Sequence, residues 1–460
     1  MSGLFHALQT TSNTLGTFSR AIEIEGQNVA NASSPGWAAL RVSIRPVGVA
    51  AGGSYDVVDV TSSSDARADS VVRSATSQSS YSQTASAQLS PVNRLFDITG
   101  STGILAALRD FSTAFSQASV TPNDSVLRAS ALDSARNVAL AFNHAATSLD
   151  TVRNQVDAAI QSTSREINAL SSTIAAYNGR VRGKPEFDAQ TDANIRTALD
   201  SLSSLIDVST SKNQDGTITV LAGGTLPLVS EDQTWALGVN TGAAAGSQVT
   251  SAGGGAPPSG LRGSLGALLD VRNNVLSAII GGTGQSGSLN TLAEGFAARV
   301  NTLLTSGATG SGDPGVPVFT WDLSTPSNVA RTLSIDPSVG PTNLALASTG
   351  TGAQSNGIAN SLAALTSSIL AANQINGQSA EGLFSGIAAD LGQRTLAARS
   401  NAELDRGTLT AAGNDWRQVS GVSLDREAIL LTAGQRAYEA AAKLFSILDK
   451  ITETEVNLIR

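Results

Sequence analysis

Apolar positions near the N-terminus fall on one stripe: Leu4, Leu8, Thr11, Leu15, Phe18, Ile22, Glu25 and Val29 follow one another at alternating spacings of four and three. That is a heptad seam, polar at Thr11 and Glu25, and it predicts a helix of roughly 25 residues, ~40 Å long. The stretch NVANASSPGW (28–37) then supplies stop and turn chemistry, since Asn tolerates a left-handed backbone and Pro cannot continue a helix. RVSIRPV after it alternates as a strand does. At the other end Leu430, Ala433, Ala437, Ala440, Leu444, Ile447, Ile451, Thr454 and Leu458 repeat at three and four, with small residues first and large ones later. Periodicity alone is equally compatible with two ordinary core-facing helices. Position favours a terminal coiled-coil pair, because chain ends fray unless tied down. Terminal helices that meet each other, or meet copies in neighbouring subunits, explain both seams.

Between the seams the pattern is mostly helical. Residues 61–90 are Ser- and Ala-rich without Gly or Pro, which reads as a solvated or partner-covered helix restarted at Pro91. Ile104, Leu108, Phe111 and Phe115 mark a short amphipathic helix before TPND. From Ser125 to Val181 no Gly interrupts the pattern until Gly179, and Ile160, Thr163, Ile167, Leu170, Ile174, Tyr177 and Val181 keep the alternation. A run this long predicts a rod, far beyond the ~11 to 12 residues of an average helix. DANIRTALDSLSSLIDV is its return partner across the loop GRVRGKPEFDAQ, giving a long central helical hairpin.

The character changes at residue 207. DVSTSKNQDGTITVLAGG reads as a β-hairpin turned at Asp-Gly, residues 235–239 as a strand, and TGAAAGSQVTSAGGGAPPSG as a flexible connection. Two helices follow, GSLGALLDVRNNVLSAI and LNTLAEGFAARVNTLL. Residues 305–358 are rich in Gly, Pro and Thr, with short strands in PVFTWDL and ARTLSID and little apolar surface expected. Helix returns from 358 onward. The fold class expected is mainly α with a smaller β-containing inserted domain, elongated. Its parts would be a terminal coiled-coil domain (1–45 and 425–460), a helical rod-like domain (46–206 and 359–424) and a variable α/β insertion forming an outer domain (207–358).

Composition narrows the function. The net charge of −8 and only four lysines, with no basic run, argue against nucleic acid as the main partner. The absence of Cys removes disulfides, thiol nucleophiles and thiolate metal sites together. No membrane insertion is expected, since no apolar run reaches 18 residues. The opening MSGLFHALQTTSNTL has no basic region, apolar core or cleavage site of a secretory signal. IGGTGQSGS lacks the Gly-Lys-Ser/Thr of a phosphate loop, and the only Gly-Lys precedes Pro185. KNQDGT opens like a calcium loop but lacks the closing Glu. His6 and His144 are isolated, and Glu453 and Glu455 lie on a helical surface. Neither a catalytic site nor a cofactor or metal is expected.

The ends carry a family resemblance. NVANASSPGW after an amphipathic helix resembles the N-N-I-A-N-x-x-T-P-G-Y signature of the flagellar axial proteins, with Asn28, Asn31, Pro35 and Gly36 retained and Trp37 replacing Tyr. RAYEAAAKLFSILDKITETEVNLI is similar to the axial C-terminus, which ends on N-L. VSGVSLDRE (419–427), the long helix with NIRTALDSLSSLIDVS…DGTITVLAGGTLPLV, and GALLDVRNNVL resemble the hook–filament junction members of that family. Arg426 departs from an acidic position, and Gly434 and Gln435 interrupt what is usually a more continuous helix.

The resemblance implies a secreted structural protein of the bacterial flagellum, exported through the type III channel without signal cleavage. It implies assembly with copies of itself in an annulus, next to the hook protein and a second junction protein, and handling by an export chaperone. The assembly seam would be Leu4, Leu8, Leu15, Phe18, Ile22, Val29, Leu430, Ala437, Leu444, Ile447, Ile451 and Leu458. A hook, rod or flagellin-like protein is the nearest alternative. An axial protein with an enzymatic insertion would need a nucleophile or metal cluster in 207–358, which holds no His and no Cys. An adhesin or surface-layer protein would not need paired terminal seams.

Overall fold

The computed structural model describes residues 2–47, 54–182, 188–241, 246–251, 260–282, 285–322, 324–350 and 355–458. Helix α1 (Ser2–Ala30) leads through a turn into the antiparallel pair β1 (Leu40–Val47) and β2 (Ser54–Ser62). Helices α2 (Ala66–Arg94), α3 (Ile104–Val120), α4 (Ser125–Val181) and α5 (Ala189–Leu205) follow. An antiparallel sheet in the order β3-β4-β5-β6 comes next (Val208–Lys212, Ile218–Ala222, Leu226–Ser230, Gln233–Thr234), then the pair β7 (Leu237–Asn240) and β8 (Gln248–Ser251). Helices α6 (Gly263–Asp270), α7 (Ser277–Ile280), α8 (Ser288–Thr305), α9 (Val329–Thr332), α10 (Gly357–Leu365), α11 (Ala380–Ser420) and α12 (Leu424–Leu458) complete the chain.

The chain divides into two compact units, one of Met1–Ser79, Ile167–Ala236 and Asp405–Arg460, the other of Ser80–Glu166 and Leu237–Leu404. In the first, α1 packs against α12 and against β1 and β2. Thr17 serves both its helix and the hairpin, donating to Asn13 O (3.0 Å) and Tyr55 O (2.6 Å). The end of α4 and α5 bury Ile174, Ile195, Leu199 and Leu202. The β3–β4 hairpin turns at Asp215-Gly216, where Gly216 takes φ +85°. Buried Asn178 on α4 grips this sheet: its Oδ1 accepts from Ile218 N (2.8 Å), and its Nδ2 donates to Ile218 O (2.8 Å) and Glu231 O (2.6 Å).

The second unit is centred on aromatic rings. Phe111 lies 4.4 Å from Phe115 and 5.2 Å from Phe296, which meets Phe319 edge-on at 6.0 Å. Arg128 is buried with no carboxylate partner among the described residues, and its guanidinium donates to the carbonyls of Pro122, Pro341, Thr342 and Leu344. Burial lowers its pKa.

Several local expectations change. Pro91 lies inside α2 rather than restarting the chain. Most of α2 is covered, with Arg73, Ser77, Ser79 and Ser82 buried. The helix expected at 263–279 contains a π-turn at Val271–Leu276. Gln248–Ser251, expected in a flexible connection, is a strand; residues 242–245 and 252–259 of that connection lie outside the described residues, as do 183–187 of the α4–α5 loop. The segment 305–350 is not poor in apolar contacts. Val318, Phe319, Val329, Leu333, Leu344 and Leu346 are all buried, and Phe319–Thr320 pairs with Ser334–Ile335. Its Gly and Pro residues shape a chain that fills a core, a role invisible to helical or strand periodicity.

Phe319→Ala is expected to destabilise the protein by about 3 to 5 kcal/mol, as deletion of a core aromatic does. A urea midpoint close to that of the unmodified protein would show that 305–350 is separable after all. Asn178→Leu leaves Ile218 N–H and C=O buried without partners and is expected to cost roughly 2 to 4 kcal/mol, read in the same denaturation experiment.

Candidate functional site: the corner after the first helix

The turn that follows α1 is built around Asn28, which is fully buried. Its Oδ1 accepts from Leu40 N (2.8 Å) and from Trp37 Nε1 (3.4 Å), and its Nδ2 donates to Leu40 O (3.0 Å) and Glu427 Oε2 (3.1 Å). One side chain therefore closes the loop of residues 28–40 and ties it to the first turn of α12. Asn31 Nδ2 donates to Gln27 O, and Ser34 Oγ donates to Asn31 Oδ1, which caps the end of α1. Pro35 is exposed. Gly36 takes φ +73°, and a Cβ there would lie 2.5 Å from Ala193 O and 2.6 Å from Thr197 Oγ1. Both the backbone angle and the contact with α5 require glycine. Trp37, 6% exposed, packs with Ile24, Leu40 and Ala193, and Val42, Val60, Ala189 and Val422 border them.

The corner also holds the junction of α11 and α12. Ala39 N donates to Ser420 O (2.9 Å), Ser63 Oγ to Ser420 O (3.0 Å) and Asp65 N to Ser420 Oγ (3.2 Å). Below it, buried Arg196 donates to Gly36 O (3.3 Å) and Ser62 Oγ (3.0 Å) and pairs with Asp192 and with Asp69 (3.8 Å). Trp416 Nε1 donates to Asp69 Oδ1 (2.6 Å). Burial raises the pKa of Asp192, against the pull of Arg196. Burial also pushes Asp200 up to about 6, with Arg73 and Arg196 opposing and Asp69 adding to the rise. Three separate stretches, NVANASSPGW, VSGVSLDRE and NIRTALD, thus meet at one place. A cleft of about 750 Å³ opens beside it, lined by Arg20, Glu23, Gln27, Trp37, Arg180 and Asp188 among others.

The seam residues separate. On α1, Leu4, Leu8, Leu15, Phe18 and Ile22 are half-buried, while Val29 is exposed. On α12, Ala437 is half-buried, but Leu430, Leu444 (51%), Ile447 (56%) and Ile451 are exposed. The side chain of Leu458 lies outside the described residues. The residues turned toward α1 occupy the adjacent stripe, which takes in Ala437 of the expected seam: Glu427, Leu431, Gly434, Ala437, Ala441, Phe445, Leu448 and Thr452. This stripe also runs at spacings of three and four, so α12 carries two apolar stripes side by side. The helix passes through Gly434 without interruption, and a Cβ there would lie 3.1 Å from Ile22 Cγ1. With Asn28 at Glu427 and Ile22 at Gly434, the two helices run antiparallel.

A long helix returning through α5, a hairpin after the corner and a terminal helix pair joined by the first and last signature stretches together define a flagellar axial protein. The family model for the flagellar hook-associated protein FlgK helical domain matches residues 89–319, and that for the C-terminal region of the flagellar basal body rod FlgEFG proteins matches 418–458. The chain belongs to the FlgK family of flagellar hook-associated proteins, structural components of the hook–filament junction. Flagellar hook-associated protein 1 of Bacillus subtilis is 23% identical over 510 aligned positions, covering 99% of each chain. The fold is similar to that of the flagellar hook junction protein FlgK from Burkholderia pseudomallei, with TM-score 0.66 and 14% identity over 76% of this chain and 100% of that one.

The raised pKa of Asp200 has a definite sign. The folded chain takes up this proton near pH 6 and the unfolded chain near 3.8, so the stabilisation is complete below about pH 3.8 and is lost as pH rises through about 6. Asp200→Asn is therefore expected to raise stability at neutral pH by up to roughly 3 kcal/mol and to lack that share of the slope between about pH 4 and 7. Parallel stability–pH curves for variant and parent would contradict the assignment.

Proposed function

We propose that the chain assembles with copies of itself into a ring between hook and filament, with α1 and α12 forming the wall of the inner tube. The observation that carries this reading is the double stripe of α12. One stripe is occupied by α1; the other, Leu430, Leu444, Ile447 and Ile451 with Ile429 and Val456 beside it, is exposed. A contiguous exposed apolar face marks an association surface, and each large residue covered there contributes ~1.5 to 3 kcal/mol. A ring grows through heterologous contacts, in which a surface of one copy meets a different surface of the next; a stripe left over after the intramolecular pair forms is suited to that.

On this reading the hook protein and a second junction protein are the axial neighbours, in keeping with the hook-associated and hook-junction names of the relatives. The protein reaches its place by type III export without signal cleavage, accompanied by a chaperone, and works outside the cell. No described helix is long and apolar enough to cross a membrane. The role is structural rather than catalytic, as in its relatives.

Leu444→Asp tests the reading, because the stripe it interrupts is exposed in the single chain. The purified variant is expected to keep its melting temperature, while cells carrying it make hooks without filaments and release flagellin into the medium. Phe445→Asp, one position round on the occupied stripe, is expected to loosen the α1–α12 pair in the isolated protein. Normal filaments on Leu444→Asp cells would show that this stripe is not the assembly surface.

A further inference from the structure

We propose that Glu25 holds a proton against Glu427 and that this proton acts as a latch, closing α1 onto α12 while it is held and opening the pair when it is lost. The proposal concerns the single chain and is independent of the ring.

Two carboxyls meet at the corner, a half-buried Glu25 on α1 and a buried Glu427 on α12. Glu427 is only 4% exposed and lies in the first turn of α12, where the helix's free N–H groups favour a negative charge. Its Oε2 accepts from Asn28 Nδ2 (3.1 Å), and Asn28 is itself fixed by Leu40 and Trp37. Glu25 stands three residues before Asn28, on the same face of α1. Its side chain is in hydrogen-bond reach of Glu427, yet its Oε2 is buried and receives no donor from the described residues. With Asn28 as its one donor among the described residues and Oε2 left unpaired, a Glu25 carboxylate beside a second carboxylate is unfavourable on three counts: desolvation, an unpaired oxygen and like-charge repulsion. As the neutral acid, Glu25 escapes all three, because its hydroxyl donates to Glu427.

The surrounding charges do not remove the conflict. Arg426 and Glu427 of α12 are the charged groups acting on Glu25. The β1–β2 hairpin, packed on the same helix, carries Arg41, Arg45, Asp56 and Asp59, none of which figures among them. Burial first, then the hydrogen bond and the negative charge of Glu427, push the pKa of Glu25 up to about 8, while Asn28 and Arg426 oppose the rise. The sign follows from linkage. The closed pair takes its proton near pH 8 and a free glutamate near 4.5, so closure is fully supported below about 4.5 and loses that support as pH rises through about 8. On opening, the proton goes to solvent and both carboxylates become hydrated.

The heptad-like stripes do not prevent the opening. Apart from Ala441, the residues of α12 turned toward α1 between Leu431 and Thr452 are only half-buried, and Gly434 and Ala441 bring little side chain. The latch sits at the corner end, where release of Glu427 also frees Asn28 Nδ2 from α12.

The chain has no cysteine of its own, so Ser12→Cys with Ser446→Cys gives the full-length protein one spin label on each helix, both at exposed positions. Pulsed electron-spin distance measurements are expected to show one short, narrow distance at about pH 6.5. A longer, broad population should grow in above about pH 8. Glu25→Gln, which keeps a donor toward Glu427 and cannot ionise, is expected to hold the short distance throughout, and Glu427→Gln likewise. Infrared spectra of glutamate-labelled protein should show a protonated carboxyl at neutral pH that Glu25→Gln lacks. An unchanged distance distribution at about pH 9.5, an opening that persists in Glu25→Gln, or an opening accompanied by loss of helical circular dichroism across the chain would each overturn the latch.

Discussion

A carboxamide on a helix can stand in for a missing strand, and this molecule uses that substitution repeatedly. Asn28 grips Leu40, Asn178 grips Ile218, Asn273 grips Ser247 and Asn301 grips Phe319, each accepting the backbone N–H and donating to the C=O of one residue at 2.7 to 3.0 Å. Each clamp falls where an extended segment meets a helix. The segments need it, because a buried backbone group without a partner costs about as much as a lost hydrogen bond, and several of the strand pairs here are only two residues long. Arg128 performs the same service with four carbonyls. Long helices are thus the frame, and short polar side chains on them hold the irregular chain in place.

This division decides what is legible in the sequence. The helices are, because apolar residues spaced at three and four over many turns line up on one face only if the chain is helical: α1, α4 with its return α5, and α12 fall where the pattern puts them. The Asp-Gly hairpin is legible from local turn chemistry. The segment 305–350 is not, since its buried residues obey no period and depend on Asn301 and the ring of Phe296, which lie outside it in sequence. Helix α2 reads as solvated or partner-covered because Ser carries no apolar signal. Small residues are also what allow close approach, and polarity alone does not tell the two situations apart.

At the corner, the sequence points to Asn28, Pro35, Gly36 and Trp37 as a turn, and local chemistry accounts for the end of α1 and for the glycine. It does not disclose that Asn28 reaches Leu40 and Glu427, nor that Arg196 lies beneath Gly36, because those partners are separated by 12, 399 and 160 positions. The resemblance of three distant stretches to one family is the available signal. In the fold the three meet at one place.

The two stripes of α12 raise a question of register that hydrophobicity does not answer. Both repeat at three and four, both include small and large residues, and rotating the helix by one residue would exchange them. Apolar contacts at that spacing slide and rotate cheaply, as in any coiled coil without a polar position. What selects the observed face is polar or steric and local: Asn28 Nδ2 donates to Glu427 Oε2, and Gly434 leaves room for Ile22 where any larger residue would press on it at 3.1 Å. The hydrophobic surface supplies attraction in two directions, and these few contacts decide which direction stays inside the chain. The stripe that remains exposed is therefore set by the Asn28 carboxamide of α1 and by Gly434 of α12 rather than by the apolar residues that compose it.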